Sequence, residues 1–268
     1  MSERWRPTPL IALSALLHAL ALPWLILRWS DYPWVLGVLV LDHLVLMACG
    51  LWPRSTWLGP NLLRLPDAAA ARGEVAITID DGPDPEVTPQ VLAILARHGA
   101  KATFFCIGER ATAHPELCRA MVAAGHRVEN HGQRHRNTLA FSGLGGWRRE
   151  VGEAQQTLQA ITGQAPRYYR ALAGLRNPLL DPVLHRLGLR LATWTARGFD
   201  TRCKQPDVVL ARLLKDMEAG HILLLHDGNA ARTHQGRAMI LEVLPPLLDA
   251  LQSRQLRAVT LCAACKLP

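Results

Sequence analysis

Two short blocks of this chain carry residues whose types and spacing can do chemistry. The first is Ile77-Thr78-Ile79-Asp80-Asp81-Gly82-Pro83, where two adjacent carboxylates follow an apolar run and precede a Gly-Pro turn. Successive strand residues point to opposite faces, but at a strand end entering a turn both can be directed into one pocket. Paired carboxylates repel unless positive charge stands beside them. A metal ion would supply it; a solvated Asp-Gly turn is the alternative. The second block is Asn130-His131-Gly132-Gln133-Arg134-His135. Its histidines are four apart, about one helical turn, so both imidazoles can reach one ion from the same side. One aspartate with two histidines makes a three-ligand set with positions left for water or substrate. Open zinc sites have this form, and the same set suits non-haem iron(II).

Further candidates stand at the ends of other apolar runs. Arg170 follows Tyr168-Tyr169 and is placed to pair with a pocket carboxylate. Trp194 to Asp200 closes another run. His226 follows Ile222-Leu223-Leu224-Leu225, where a general acid would reach the same pocket.

The elements that must position these residues follow from the alternation of short apolar runs with helix-like stretches. Strands are expected at 74–79, 102–107, 126–130, 167–170, 189–195, 222–226 and 257–261. Helices are expected at 87–98, 114–124, 147–162, 178–187, 206–218 and 236–252. Such alternation points to an α/β fold with a parallel sheet, here a distorted seven-stranded (β/α) barrel. In a barrel the active site lies at the C-terminal strand ends, where the candidates fall.

Together these blocks resemble the polysaccharide deacetylase family, also called the NodB-homology domain or carbohydrate esterase family 4, over about residues 74–261. Thr78-Ile79-Asp80-Asp81-Gly82-Pro83 resembles its T-F-D-D-G-P block, which implies Asp80 as base and Asp81 as metal ligand. His131 to His135 resembles H-S/T-x-x-H and implies the other two ligands. Arg170 to Gly174 resembles R-x-P-x-G, with Arg170 orienting the base. Leu224-Leu225-His226 resembles L-x-H, with Leu224 lining the acyl pocket and His226 as acid. Asp200 is the candidate to orient His226, and Trp194 joins Leu224 as a candidate substrate contact. The sequence departs from the pattern at Gly132, where Ser or Thr is usual, and at Leu172, where proline is usual. The resemblance implies metal-dependent hydrolysis of an N-acetyl or N-formyl amino sugar. Zinc is the expected ion, with Co, Mn, Ni and Fe open.

The first 57 residues are of another kind. Pro9 to Leu27 and Pro33 to Trp52 are apolar runs of 19 and 20 residues, and six of the eight tryptophans lie in this region. Each run is long enough to cross a bilayer, with tryptophans at the interfaces and a tight connector at 28–32. A cleaved signal peptide and a pair of core helices are the rival readings. Ser30 as turn centre places His18 twelve residues before it and Asp42 twelve after. Buried ionisable groups in a membrane tend to pair, so a His18–Asp42 contact is expected, with His43 as the alternative. Arg4, Arg6, Arg54 and Arg64 flank the hairpin, while Arg28 in the connector is offset by Asp31. That bias favours both ends, and the catalytic domain, in the cytoplasm.

The expected organisation is a membrane-anchoring hairpin (1–57), a linker (58–73) and a NodB-like deacetylase domain (74–268). The 268 residues, 49% hydrophobic, bury an ample core. The net charge of +8 comes almost wholly from arginine. No compact basic run with interleaved aromatics is present, so nucleic acid is not an expected partner. The expected partners are an amino-sugar glycan or lipid-linked sugar and membrane lipid, with no protein partner. Six cysteines lack the paired spacing of a zinc site, and Cys262-x-x-Cys265 stands alone. The non-enzymatic alternative is an inactive, membrane-anchored carbohydrate-binding protein. An iron(II) oxygenase would fit the ligand trio but not the βα alternation.

Overall fold

A computed structural model describes residues 4–267. Its centre is a curled parallel sheet. The strands are β1 (Glu74–Asp80), β2 (Ala102–Cys106), β3 (Arg127–Asn130), β4 (Tyr168–Tyr169), β5 (Arg190–Leu191), β6 (Ala196–Arg197), β7 (Ile222–His226) and β8 (Arg257–Val259). Seven follow one path, β5-β4-β3-β2-β1-β7-β6, and β8 pairs beside it with the start of β1. Every residue of β1, β2 and β7 is buried. Continuous apolar, β-branched runs are what a parallel sheet covered on both faces requires.

The helices are α1 (Pro9–Leu27), α2 (Tyr32–Leu51), α3 (Asp67–Ala70), α4 (Thr88–Arg97), α5 (Gly108–Ala113), α6 (Pro115–Ala123), α7 (Leu144–Thr162), α8 (Leu180–Leu187), α9 (Pro206–Leu214), α10 (Met239–Ser253) and α11 (Leu261–Ala264). Helix α7 shows why they form. Trp147, Val151, Ala154 and Leu158 recur at three- and four-residue spacing and are all buried. Gly163, at φ 71°, ends it.

Register carries the pattern to one edge of the sheet. Asp80 stands level with Phe105 of β2 and His226 of β7, and Asn130 stands level with Cys106 and Tyr169. Because all pairings are parallel, the residues that follow these strands emerge together.

Three expectations are corrected. The strand expected at 189–195 shrinks to β5 at Arg190–Leu191, with β6 starting only at Ala196; the residues between bond elsewhere, Thr193 N–H to Leu62 O and Thr195 N–H to Ile222 O. The strand expected at 257–261 extends only to Val259 and pairs with the start of β1, off the seven-strand path. Helix α5 was not expected; its six residues are too few for an apolar period to show.

Residues 58–73 pack closely on the sheet. Leu58, Leu65 and Ala69 are buried. Leu62 pairs with Ala192 at the edge of the sheet, and the Leu65 N–H donates to Gly220 O just before β7. This segment therefore spans the gap between the edge strands.

Helices α1 and α2 are long and apolar enough to cross a membrane, and most of their side chains lie outside the fold. Ser14 Oγ donates to Asp42 Oδ2 at 2.7 Å. His18 Nδ1 is 4.0 Å from the same oxygen, and the His18 and His43 rings stand 5.1 Å apart. The expected contact is thus present as a four-residue cluster that includes Ser14.

The end of the hairpin is fixed to the sheet domain. Arg176 N–H donates to Gly50 O at 3.1 Å, and the buried Arg176 guanidinium donates to Ser55 O and Gly59 O. Arg54 donates to Thr195 O, and Thr8 Oγ1 to Trp57 O at 2.6 Å. Any side chain at Gly174 would meet Pro53 and the Trp194 ring.

Candidate active site

Seven of the nine candidate residues meet at one small cavity, with Arg170 and Asp200 just behind it. Asp80, Asp81, His131, His135 and His226 line it together with Arg197 and Thr201, and Leu172, Trp194 and Leu224 form an apolar wall; its volume is about 130 Å³. That is roughly four times the share of one liquid water, enough for a small acyl group and an attacking water but not for a sugar ring. A larger cavity, about 910 Å³, lies between the N-terminal residues and α8 and contains none of these groups.

Asp81 Oδ1 lies 3.2 Å from His131 Nε2 and 3.0 Å from His135 Nε2. His131 Nδ1 is 2.8 Å from the Arg170 carbonyl oxygen. A carbonyl only accepts, so Nδ1 carries the hydrogen and Nε2 of the neutral ring presents a lone pair to the carboxylate. Asp81 Oδ1 and His135 Nε2 are buried and lack a hydrogen-bond partner among the described residues. Converging acceptors of this kind need a cation between them, and one carboxylate with two imidazoles suits zinc or a similar divalent ion. The residues fit the group. Burial alone would raise the Asp81 carboxyl; with the facing imidazoles protonated it is held well below the usual carboxylate range, and with them neutral a bound cation takes over that role.

Backbone geometry supports the ligands. Asp81 and His135 adopt φ 75° and 55°, a region most side chains avoid. Glu150, on α7, accepts the Arg134 N–H at 2.6 Å and the His135 N–H at 2.8 Å through one oxygen. Gly132 has φ 88°, and a Cβ there would lie 2.9 Å from that same oxygen. This explains the glycine: the turn between the histidines needs both the left-handed backbone and the space.

Asp80 is held by Arg170, which is fully buried. Arg170 Nη1 donates to Asp80 Oδ1 at 2.8 Å and to Thr78 Oγ1 at 2.7 Å; Nη2 donates to Thr193 O at 2.9 Å and Nε to Ala192 O at 3.2 Å. The guanidinium lies 4.1 Å from the centre of the Phe105 ring. Burial works against the arginine's charge, and Asp80 opposes that effect. Asp80 Oδ2 faces the ligand cluster, 3.9 Å from His131 Nε2.

Across the cavity, Asp200 takes two bonds from one residue. Its Oδ1 is 2.9 Å from His226 Nδ1, and its Oδ2 accepts the His226 N–H at 2.7 Å. The Nδ1 hydrogen points to the carboxylate, which leaves Nε2 to exchange a proton. Burial disfavours the imidazolium, but Asp200, with help from Asp80 and Asp81, pushes His226 up to about 9.

Several supporting residues escape sequence reasoning. Asn229 donates to Asp81 Oδ2 at 2.9 Å, and Arg110 bridges Asn229 Oδ1 and the Asp81 carbonyl. Asn130 Oδ1 accepts the Gly132 N–H at 2.9 Å. Asp227 accepts from Thr88 Oγ1 at 2.5 Å, and burial pushes its carboxyl up to about 7. Only Asn130 and Asp227, each beside a motif residue, carried a positional signal.

Fold and mouth together define a (β/α) domain with a three-donor cation site, an arginine-locked carboxylate and an Asp–His pair. Comparison with known proteins makes the class specific. The family model for polysaccharide deacetylase matches residues 67–192. The chain is 34% identical to a chitooligosaccharide deacetylase of Azorhizobium caulinodans over 190 residues, covering 68% of this chain and 90% of that protein. It is 30% identical to a peptidoglycan-N-acetylglucosamine deacetylase of Bacillus cereus over 192 residues, covering 71% and 67%. The crystal structure of the peptidoglycan N-acetylglucosamine deacetylase Bc1960 superposes with a TM-score of 0.69 at 26% identity, over 78% of this chain and 94% of that one. This chain belongs to the polysaccharide deacetylase family, carbohydrate esterase family 4.

Proposed function

We propose that this protein is a membrane-anchored, metal-dependent hydrolase that removes an N-acetyl or N-formyl group from an amino sugar carried at the membrane. The observation that carries the reading is the convergence of the three donors, Asp80 and His226 on one cavity of acyl size. The relatives' substrates, chitooligosaccharide and the N-acetylglucosamine of peptidoglycan, supply the amino-sugar class.

Asp81, His131 and His135 would hold the ion. A bound divalent cation polarises the acyl carbonyl and lowers the pKa of water. Asp80, oriented by Arg170, accepts the proton of the attacking water through Oδ2. His226, charged against Asp200, donates a proton to the sugar nitrogen as the C–N bond breaks. The products are the free amine and acetate or formate. Leu224 and Trp194 bound the acyl end, and Arg197, stacked on Trp194 and Phe199, stands where the sugar enters. An inactive binding protein would have no use for the buried Arg170–Asp80 and His226–Asp200 pairs.

The membrane part of the reading rests on the hairpin. Its two helices are of spanning length, and Pro53, just after α2, packs against Gly174, which also adjoins the Trp194 ring at the mouth. That placement supports a lipid-linked amino sugar. The arginine bias at the hairpin ends supports a cytoplasmic catalytic domain in the cytoplasmic membrane. Purified protein should release acetate or formate from an amino-sugar panel only when a divalent ion is present. Metal-independent release, or none from any substrate, would overturn the reading. A reporter fused at the C-terminus decides the side.

A further inference from the structure

The apolar hairpin carries one polar cluster near mid-length. His18 is the tenth of nineteen residues in α1, and Asp42 and His43 are the eleventh and twelfth of twenty in α2. Each offers one donor atom, and the three atoms lie within 4.8 Å of one another.

The imidazoles are oriented alike. His18 Nδ1 is 2.8 Å from Ser14 O, and His43 Nδ1 is 2.9 Å from Leu39 O. Both partners are carbonyls, so both Nδ1 atoms carry a hydrogen, and in the neutral ring Nε2 is the atom with a lone pair. Metal-bound histidines are held in this way, their second nitrogen donating to a carbonyl or carboxylate. The carboxylate is supported too, since Asp42 Oδ2 accepts from Ser14 Oγ. His18 Nδ1 stands 4.0 Å from Asp42 Oδ2, beyond hydrogen-bond distance, and its hydrogen serves Ser14 O. The cluster therefore gathers a carboxylate and two imidazoles where an unpaired charge is most costly.

We propose that His18, Asp42 and His43 hold a divalent cation of the zinc type, clipping α1 to α2 midway along the hairpin. Two imidazoles and one carboxylate suit such an ion. In lipid, apolar burial does not drive two helices together, so a bridging ion would fix their alignment. The site is separate from the acyl cavity and uses none of its residues.

The test counts zinc per chain by mass spectrometry on the untagged full chain in detergent micelles, after dialysis against Zn²⁺ and then buffer. Three forms are compared with wild type: His18→Gln with His43→Gln, His131→Gln with His135→Gln, and all four. The hairpin double variant should lose one equivalent, and the quadruple variant one more than the active-site double variant. Cobalt in the active-site double variant should give a visible d–d band that the quadruple variant lacks. An unchanged zinc count in the hairpin variant overturns the proposal. Misfolding would appear as loss of both equivalents, and Asp42→Asn then decides, with one equivalent lost if the site is real and none if it is not. Failure of the active-site assignment would show separately, as an unchanged count in its own variant.

Discussion

The main-chain carbonyl of Arg170 accepts from His131 Nδ1 at 2.8 Å, while the Arg170 side chain donates to Asp80 Oδ1 at the same distance. One residue thus sets the tautomer of a candidate ligand and the orientation of the candidate base. A lysine would keep the charge of Arg170 but could not serve Thr78, Asp80, Ala192 and Thr193 together.

Asp80→Asn should lower turnover by about 10²–10⁴-fold, the usual contribution of a positioned proton acceptor. The bound metal should be retained, because Asp81, His131 and His135 are untouched. Turnover and metal content measured on one preparation check this; an unchanged rate removes Asp80 from the mechanism.

The pH profile should report the Asp200–His226 pair. His226 donates only in its protonated form, and its surroundings push it up to about 9. Activity should therefore fall as pH rises through about 9. Asp200→Asn removes the carboxylate that favours the imidazolium, so the alkaline limb should move to lower pH. A limb that stays in place would show that another group donates the proton.

Gly132→Ser restores the residue type usual in the family and should nevertheless weaken this protein. A side chain in the left-handed region costs about 1–2 kcal/mol, and its Cβ would crowd the Glu150 oxygen that holds the Arg134 and His135 N–H groups. Denaturant unfolding should show that loss. Metal affinity should fall by about 10-fold or more, as when the partners of ligands are disturbed. A more stable variant would mean the turn can reorganise.

Arg176→Gln should lower activity even on a soluble oligosaccharide. The guanidinium joins the loop beside the mouth to Ser55 O and Gly59 O, and a glutamine is too short to hold both. KM should rise more than kcat falls if the rim shapes substrate entry. Unchanged kinetics would show that the rim stands without the hairpin.

The chemistry was legible where one short segment carries both a strand end and its functional groups. Asp80-Asp81, His131 with His135, Arg170 and His226 are such cases, because a parallel sheet places every strand's C-terminal end at one edge. Glu150 and Asn229 were not legible. Each reaches its partner across the fold, from α7 or from the loop after β7, and neighbouring residues give no hint of it. Residues 58–73 read as a linker because Pro53, Gly59, Pro60 and Pro66 break any period. Pairing of Leu62 and Leu65 with residues more than 120 positions away cannot be seen in a local window. The 189–195 run keeps only Arg190–Leu191 as strand because Thr193 and Thr195 bond to different neighbours.

The bonds from Arg176 to Gly50, Ser55 and Gly59 leave no slack between the hairpin and the mouth. A domain on a loose tether sweeps a hemisphere and meets soluble substrate at its bulk concentration. If the hairpin lies in a membrane as proposed, a domain riveted to it is confined to a thin slab, and its mouth keeps one height and one tilt. Its encounters then scale with molecules per unit area of membrane, and dilution of the surrounding solution leaves them unchanged.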